Sequence, residues 1–120
     1  IINKKPYATG VTVHKLHSGI DDGNILYQSR IDIEKDDSVF DIFFKSVIKG
    51  FHLVEKSVNI ISKDNVEGKP LHYLGNLYQT KDMTGSKIEI LQKNFHPYLS
   101  EFFENKDKYN VSYPLLNITK

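Results

Sequence analysis

Seven apolar residues recur at alternating steps of four and three through the middle of the chain: Phe40, Phe44, Val47, Phe51, Val54, Val58 and Ile61. Such steps return to one face of a helix with 3.6 residues per turn. The stripe spans about six to seven turns, so a long helix constrains everything around it. Ser38 precedes it as an N-cap, and Asp41 three residues on completes an approximate capping box. A carboxylate there also suits the positive end of the helix. Gly50 interrupts the run at a cost of about 1 kcal/mol relative to Ala. Ile42, Phe43 and Ile48 widen the face beyond a coiled-coil seam. The expectation is core packing against a sheet.

Two strands are expected ahead of the helix. Residues 11–16 open with the β-branched run Val11, Thr12 and Val13. Residues 25–33 alternate Ile25, Tyr27, Ser29, Ile31 and Ile33. The segment between them carries Ser18, Gly19, Asp21, Asp22, Gly23 and Asn24, the composition of a turn or loop. A carboxylate at a sharp turn between two strands is held at both ends, which suits chemistry that needs fixed geometry. Charged residues 34–37 separate the second strand from the helix.

After the helix, residues 63–70 read as a polar connection and residues 74–78 as a short strand. Residues 84–95 read as a short helix with Ile88, Leu91 and Phe95 on one face. Pro97 can open a separate helix over residues 98–103 as its first residue. The tail from residue 105 is polar, and residues 113–118 are apolar enough to dock.

The chain has 120 residues, which sets one domain, or part of one, as the expectation. A net charge of +1 argues against a nucleic-acid footprint. Arg30 is the only arginine, so bidentate arginine clamps on phosphate are nearly ruled out, while lysines can still meet anions as point charges. The absence of cysteine removes disulfides, thiolate catalysis and cysteine-ligated zinc, and fits a reducing compartment such as the cytoplasm. No apolar run reaches the roughly 20 residues that span a bilayer. The sequence opens on Ile1 with no signal-peptide stretch, as expected of a chain processed, trimmed or cut from something longer. The five histidines form no ligand spacing, so no metal is expected. Asn110 and Asn117 sit in glycosylation-type triplets, which a cytoplasmic reading treats as chance.

The pattern T-G-V-T-V-H-x6-D-x-G-x-I-x-x-Q, running from Thr9 to Gln28, resembles the formyltransferases that use 10-formyltetrahydrofolate. These act on glycinamide ribonucleotide, methionyl-tRNA or nucleotide sugars, and a related hydrolase passes the formyl group to water. The resemblance starts at Ile1, with Ile2 and Asn3, and runs to about Ile61, roughly half the chain. It implies an α/β fold: the C-terminal part of a formyltransferase-type Rossmann-like domain over residues 1–63, with an irregular α/β extension over residues 64–120. It implies that Asp21 is the catalytic carboxylate, acting with an Asn and a His. It further implies that His17, Ser18, Gly19, Ile20 and Asp21 edge the folate pocket, the loop acting through backbone groups, with 10-formyltetrahydrofolate as co-substrate.

A one-residue slip would give Asp22 the role of Asp21. His14 reads as a strand residue or as lining the site, and His17 as an exposed loop residue or a pocket one. Lys81, Asp82, Met83 and Thr84 resemble a tail motif of sugar-formyltransferase-like proteins; a turn followed by an N-cap is the simpler reading. The family's Asn-x-His segment and His-Pro-Ser-Leu-Leu-Pro loop are not in this sequence. His96 and Pro97 are followed by Tyr98 and Leu99 and lie on the wrong side of the motif. The expectation is therefore an enzyme whose activity needs the missing N-terminal half of the same domain, this chain alone being inactive. The expected acceptor is a small-molecule amine, with a nucleotide sugar slightly favoured. Neither a nucleic-acid nor a membrane partner is expected, and oligomers remain open. The alternatives are the glycinamide ribonucleotide or methionyl-tRNA enzyme, the hydrolase, and a non-catalytic interaction module.

Overall fold

The computed structural model describes residue 3 and residues 5–16, 23–70 and 78–109. A 3-10 turn at Pro6–Ala8 leads into strand β1 (Gly10–His14), which pairs antiparallel with β2 (Ile25–Arg30). Helix α1 (Val39–Ile61) follows, then a 3-10 turn at Thr80–Asp82, helix α2 (Gly85–Glu104) and the short α3 (Lys106–Tyr109). The fold is mixed α/β, with a two-stranded antiparallel sheet and two long helices. Both strands end short of their expected limits. One hydrogen bond continues the pairing past each end, Lys15 N–H to Asn24 C=O at 2.9 Å and Ile31 N–H to Thr9 C=O at 3.2 Å. Of the expected strand over residues 74–78, residues 74–77 lie outside the described residues, and Tyr78 is not in a strand.

The start of α1 forms as its sequence implies. Ser38 Oγ accepts from Asp41 N–H at 3.2 Å, and Asp41 Oδ2 accepts from Ser38 N–H at 2.8 Å, closing a capping box. The Ser38 hydroxyl, then its backbone N–H, hold the Asp41 carboxyl below its ordinary value of 3.8. A lowered carboxyl stabilises the fold above its unfolded value and ceases to as pH falls through its folded one. The cap is therefore intact at pH 3.8 and above and is lost only in stronger acid. Ser38→Ala should move the Asp41 midpoint back up toward 3.8, read by carboxyl NMR; an unmoved midpoint contradicts this cause.

The connection into α1 is locked by Lys45. Its Nζ donates to buried Asp37 at 2.8 Å and to Glu34 at 2.9 Å. Those two carboxylates, Asp37 first, hold the ammonium above its usual 10.5. Asp37 Oδ2 also accepts from Glu34 N–H at 2.8 Å. The buried carboxylate is thus fully partnered, as its burial requires.

The apolar stripe of α1 does not face the sheet. Ile42, Leu53 and Ser57 turn toward the strands instead, and Lys56 Nζ lies 4.4 Å over the Tyr27 ring of β2. At about 100° per residue, that line is roughly 140° around the helix from Phe40, Phe51 and Val58. Phe40 is 74% exposed, Phe44 60%, Phe51 71% and Val58 59%. This corrects the expectation of core packing. Two strands cover only a narrow strip of a helix, and the strip they cover is the less apolar one.

The described core gathers Ile31, Ile33 and Ile42 with Phe95 and Leu99 of α2, flanked by Val11, Leu91 and Phe103. One continuous helix replaces the two expected around Pro97. Thr84 caps it, Oγ1 accepting from Lys87 N–H at 3.4 Å, so the residues around Met83 are a turn and an N-cap. Pro97 withdraws one backbone donor, normally a cost of about 3 kcal/mol. Pro97 and Lys93 both lie on the exposed side of the helix. Burial of Phe95, Leu99 and Phe102 at steps of four and three holds the helix straight through. No helix among the described residues is long and apolar enough to cross a membrane.

Candidate functional site

The strongest candidate is the end of the hairpin where β1 passes into β2. Its tip lies outside the described residues: His17, Ser18, Gly19, Ile20, Asp21 and Asp22 all fall there. The described flanks fix where that tip starts and ends. Val13 pairs with Tyr27 and His14 with Ile25, with a register irregularity between them. Such an irregularity bends a strand and re-aims the residues beyond it. Past it, Lys15 N–H donates to Asn24 C=O at 2.9 Å and closes the neck.

Gly23 is buried in that neck. A Cβ built on it would sit 1.6 Å from Lys15 O and 2.7 Å from Lys15 C. Only glycine lets the returning chain pass so close to the outgoing one. Gly10, at the other end of β1, is under the same constraint, its Cβ falling 2.5 Å from Ser29 O. Both glycines of the Thr9–Gln28 pattern are therefore required by close backbone approach. Gly23→Ala should cost about 1–3 kcal/mol, because the clash is with backbone that cannot rotate away. A thermal melt of the variant checks this, and an unchanged midpoint would contradict the geometry.

A second strap reaches the same neck from beyond α1. Lys69 exchanges two backbone hydrogen bonds with Ile25, each 2.7 Å. Asn24 Nδ2 donates to Glu67 C=O at 3.0 Å, and Lys15 Nζ lies 3.6 Å from Glu67. Gly68 makes the strap possible with a φ of 77°, while its Cβ position lies 2.8 Å from Ile25 O. The segment read from sequence as a polar connection thus anchors the hairpin. Gly68 was its only visible signal, and no local pattern names Ile25 as the partner.

His14 is half-buried beside this neck, with Nδ1 3.1 Å from Lys15 O. It is the last residue of β1. Among the described residues, no group of three His, Asp or Glu side chains converges as metal ligands would. Two concavities lie elsewhere. One of about 590 Å³ runs between the end of β2 and α1, lined by Ser29, Ile31, Lys49, His52, Leu53 and Lys56 among others. The other, of about 300 Å³, is lined by Asn3, Tyr78, Met83, Leu91 and neighbours. Neither is lined by His14, Lys15, Gly23 or Asn24.

The described flanks of the loop are held by strand pairing on one side and by the Glu67–Lys69 strap on the other. Comparison of the chain with protein-family models, curated proteins and solved structures finds no match.

Proposed function

We propose that this chain is the C-terminal part of a Rossmann-like formyltransferase domain, moving a formyl group from 10-formyltetrahydrofolate to a primary amine. The observation that carries the reading is the spacing of Thr9, Gly10, His14, Asp21, Gly23 and Gln28. The close approaches at Gly10 and Gly23, and the strap at Ile25, support it by giving the loop with Asp21 a rigid root. A carboxylate that orients a catalytic group needs such a root, since small displacements are costly in rate.

In the proposed reaction the acceptor amine nitrogen attacks the formyl carbon. The carbonyl oxygen becomes an oxyanion, stabilised by donors from the remainder of the domain. Asp21 orients the imidazole there and favours its charged form. The C–N bond to the folate then breaks, its nitrogen takes a proton, and the amine gives one up. Residues 17–20 edge the folate pocket through backbone groups. An amino sugar nucleotide is the favoured acceptor, because the C-terminal extension is not the basic domain expected of a tRNA-binding enzyme.

The test is an assay of the whole protein with 10-formyltetrahydrofolate and a panel of amines: an amino sugar nucleotide, glycinamide ribonucleotide, methionyl-tRNA and water alone. Formylation of one amine is expected. Release of formate with no amine formylated would assign the hydrolase chemistry instead, and no turnover of the folate at all would reject the proposal.

A further inference from the structure

We infer that Asn24 is a positioning residue for Asp21, tying the exit of the loop to the segment that follows α1. The inference rests on the proposed function for what Asp21 does; the tie itself stands on geometry. Asn24 comes directly after buried Gly23 and three residues after Asp21. Three hydrogen bonds converge on Asn24 and on the peptide unit it shares with Ile25. The C=O of that unit accepts from Lys15 N–H at 2.9 Å, on the β1 side. Its N–H donates to Lys69 C=O at 2.7 Å, on the strap side. The side chain makes the third bond, Nδ2 donating to Glu67 C=O at 3.0 Å. A backbone carbonyl only accepts, so the amino group of the carboxamide is the group that faces it.

The three bonds differ in origin. The one from Lys15 belongs to the hairpin and comes with its register. The other two reach across α1 from more than 40 residues away, and the pairing of β1 with β2 needs neither. Gly68 brings the Glu67 carbonyl within reach, since its Cβ position lies 2.8 Å from Ile25 O and 3.1 Å from Asn24 Cβ. The chain beyond is fixed in turn, with Ile25 and Leu26 buried. The Glu67 side chain adds little: it is 76% exposed and 3.6 Å from Lys15 Nζ, and such surface pairs contribute weakly. What ties Asn24 is therefore the backbone of the strap. Residues 17–20 follow β1, whereas Asp21 lies nearer the tied exit. Loss of the Asn24 bond should thus act on turnover more than on folate affinity.

Kinetics and amide resonances of the whole protein test this together. Asn24→Ala should lower kcat by about 10-fold or more, well below the thermal midpoint, with KM for folate within about two-fold, because a misplacement of about 1 Å can cost about 100-fold in rate. Gly68→Ala lifts the strap without altering the loop and should reproduce the loss. Should either variant unfold the protein, Asn24→Asp replaces it, since a carboxylate has no proton to give the Glu67 carbonyl. Glu67→Gln keeps the backbone acceptor and should match the native enzyme. An unchanged kcat in the folded Asn24 variant would make the bond merely structural and overturn the inference. An equal loss in Glu67→Gln would assign the effect to the ion pair and overturn it too. Without folate, Asn24→Ala should shift the amide resonances of residues 21–23, and Glu67→Gln should not. Unshifted amides overturn the inference whatever the protein catalyses. Shifted amides in a protein that turns over no folate uphold the tie and reject only the proposed chemistry.

Discussion

Replacing Asp21 with Asn in the whole protein is expected to lower formyl transfer by about 10³- to 10⁴-fold, the scale set when a carboxylate that orients a catalytic imidazole loses its charge. The substitution keeps the size and shape of the side chain. It removes the negative charge that favours the imidazolium and replaces one acceptor oxygen with a donor. Affinity for the folate should change little, because the proposal has residues 17–20 meet it through backbone groups. A fall in turnover with an unchanged KM for folate marks an interaction made chiefly in the transition state. Asp22→Asn is the matched control and should leave turnover within a few-fold. Steady-state kinetics of the two variants separate the registers: a large loss at position 22 and none at 21 would move the role by one residue. Near-normal turnover in both would remove the carboxylate from the mechanism.

The second large effect is expected at Leu99 of α2, which is fully buried beside Ile31, Ile33, Ile42 and Phe95. Leu99→Ala should cost about 2–5 kcal/mol, the range for truncating a core leucine. That is a large part of the roughly 5–15 kcal/mol that holds a typical domain together. A denaturant melt checks it, and a cost within about 0.5 kcal/mol, the scale of an exposed position, would contradict this core.

How far the sequence could be read depends on how local each determinant is. The capping box of Ser38 and Asp41 needs four consecutive residues, and the structure forms it as read. The extent of α1 was legible because its periodicity is long and Gly50 interrupts it only weakly. The direction of its stripe was not. Periodicity tells which residues share a face, whereas the partner of that face is set by what folds against it, and the described sheet meets Ile42 and Leu53 instead. The break expected at Pro97 failed for a related reason. The penalty of proline is local, but burial of Phe95 and Leu99 in a core shared with Ile31 and Ile42 decides the outcome.

The candidate site divides in the same way. The composition of the loop marked it as a turn, and the described strands do end on either side of it. The need for glycine at position 23 arises from Lys15, close in sequence, and the glycine was part of the pattern without its cause being visible. The strap through Gly68 and Lys69 comes from more than 40 residues away in sequence, and no local signal announces a pairing over that distance. Asp37 is similar: it read as part of a charged break between strand and helix, and Lys45 makes it a buried, fully partnered anchor.

The central claim is that the loop between β1 and β2 forms one wall of a folate site. Its most direct test is a titration of the isotopically labelled whole protein with the stable analogue 5-formyltetrahydrofolate, followed through backbone amide resonances. The account predicts saturable shifts concentrated in residues 17–24, with only small changes along α2. Saturable binding that leaves those residues unmoved, or no binding at all, would contradict it.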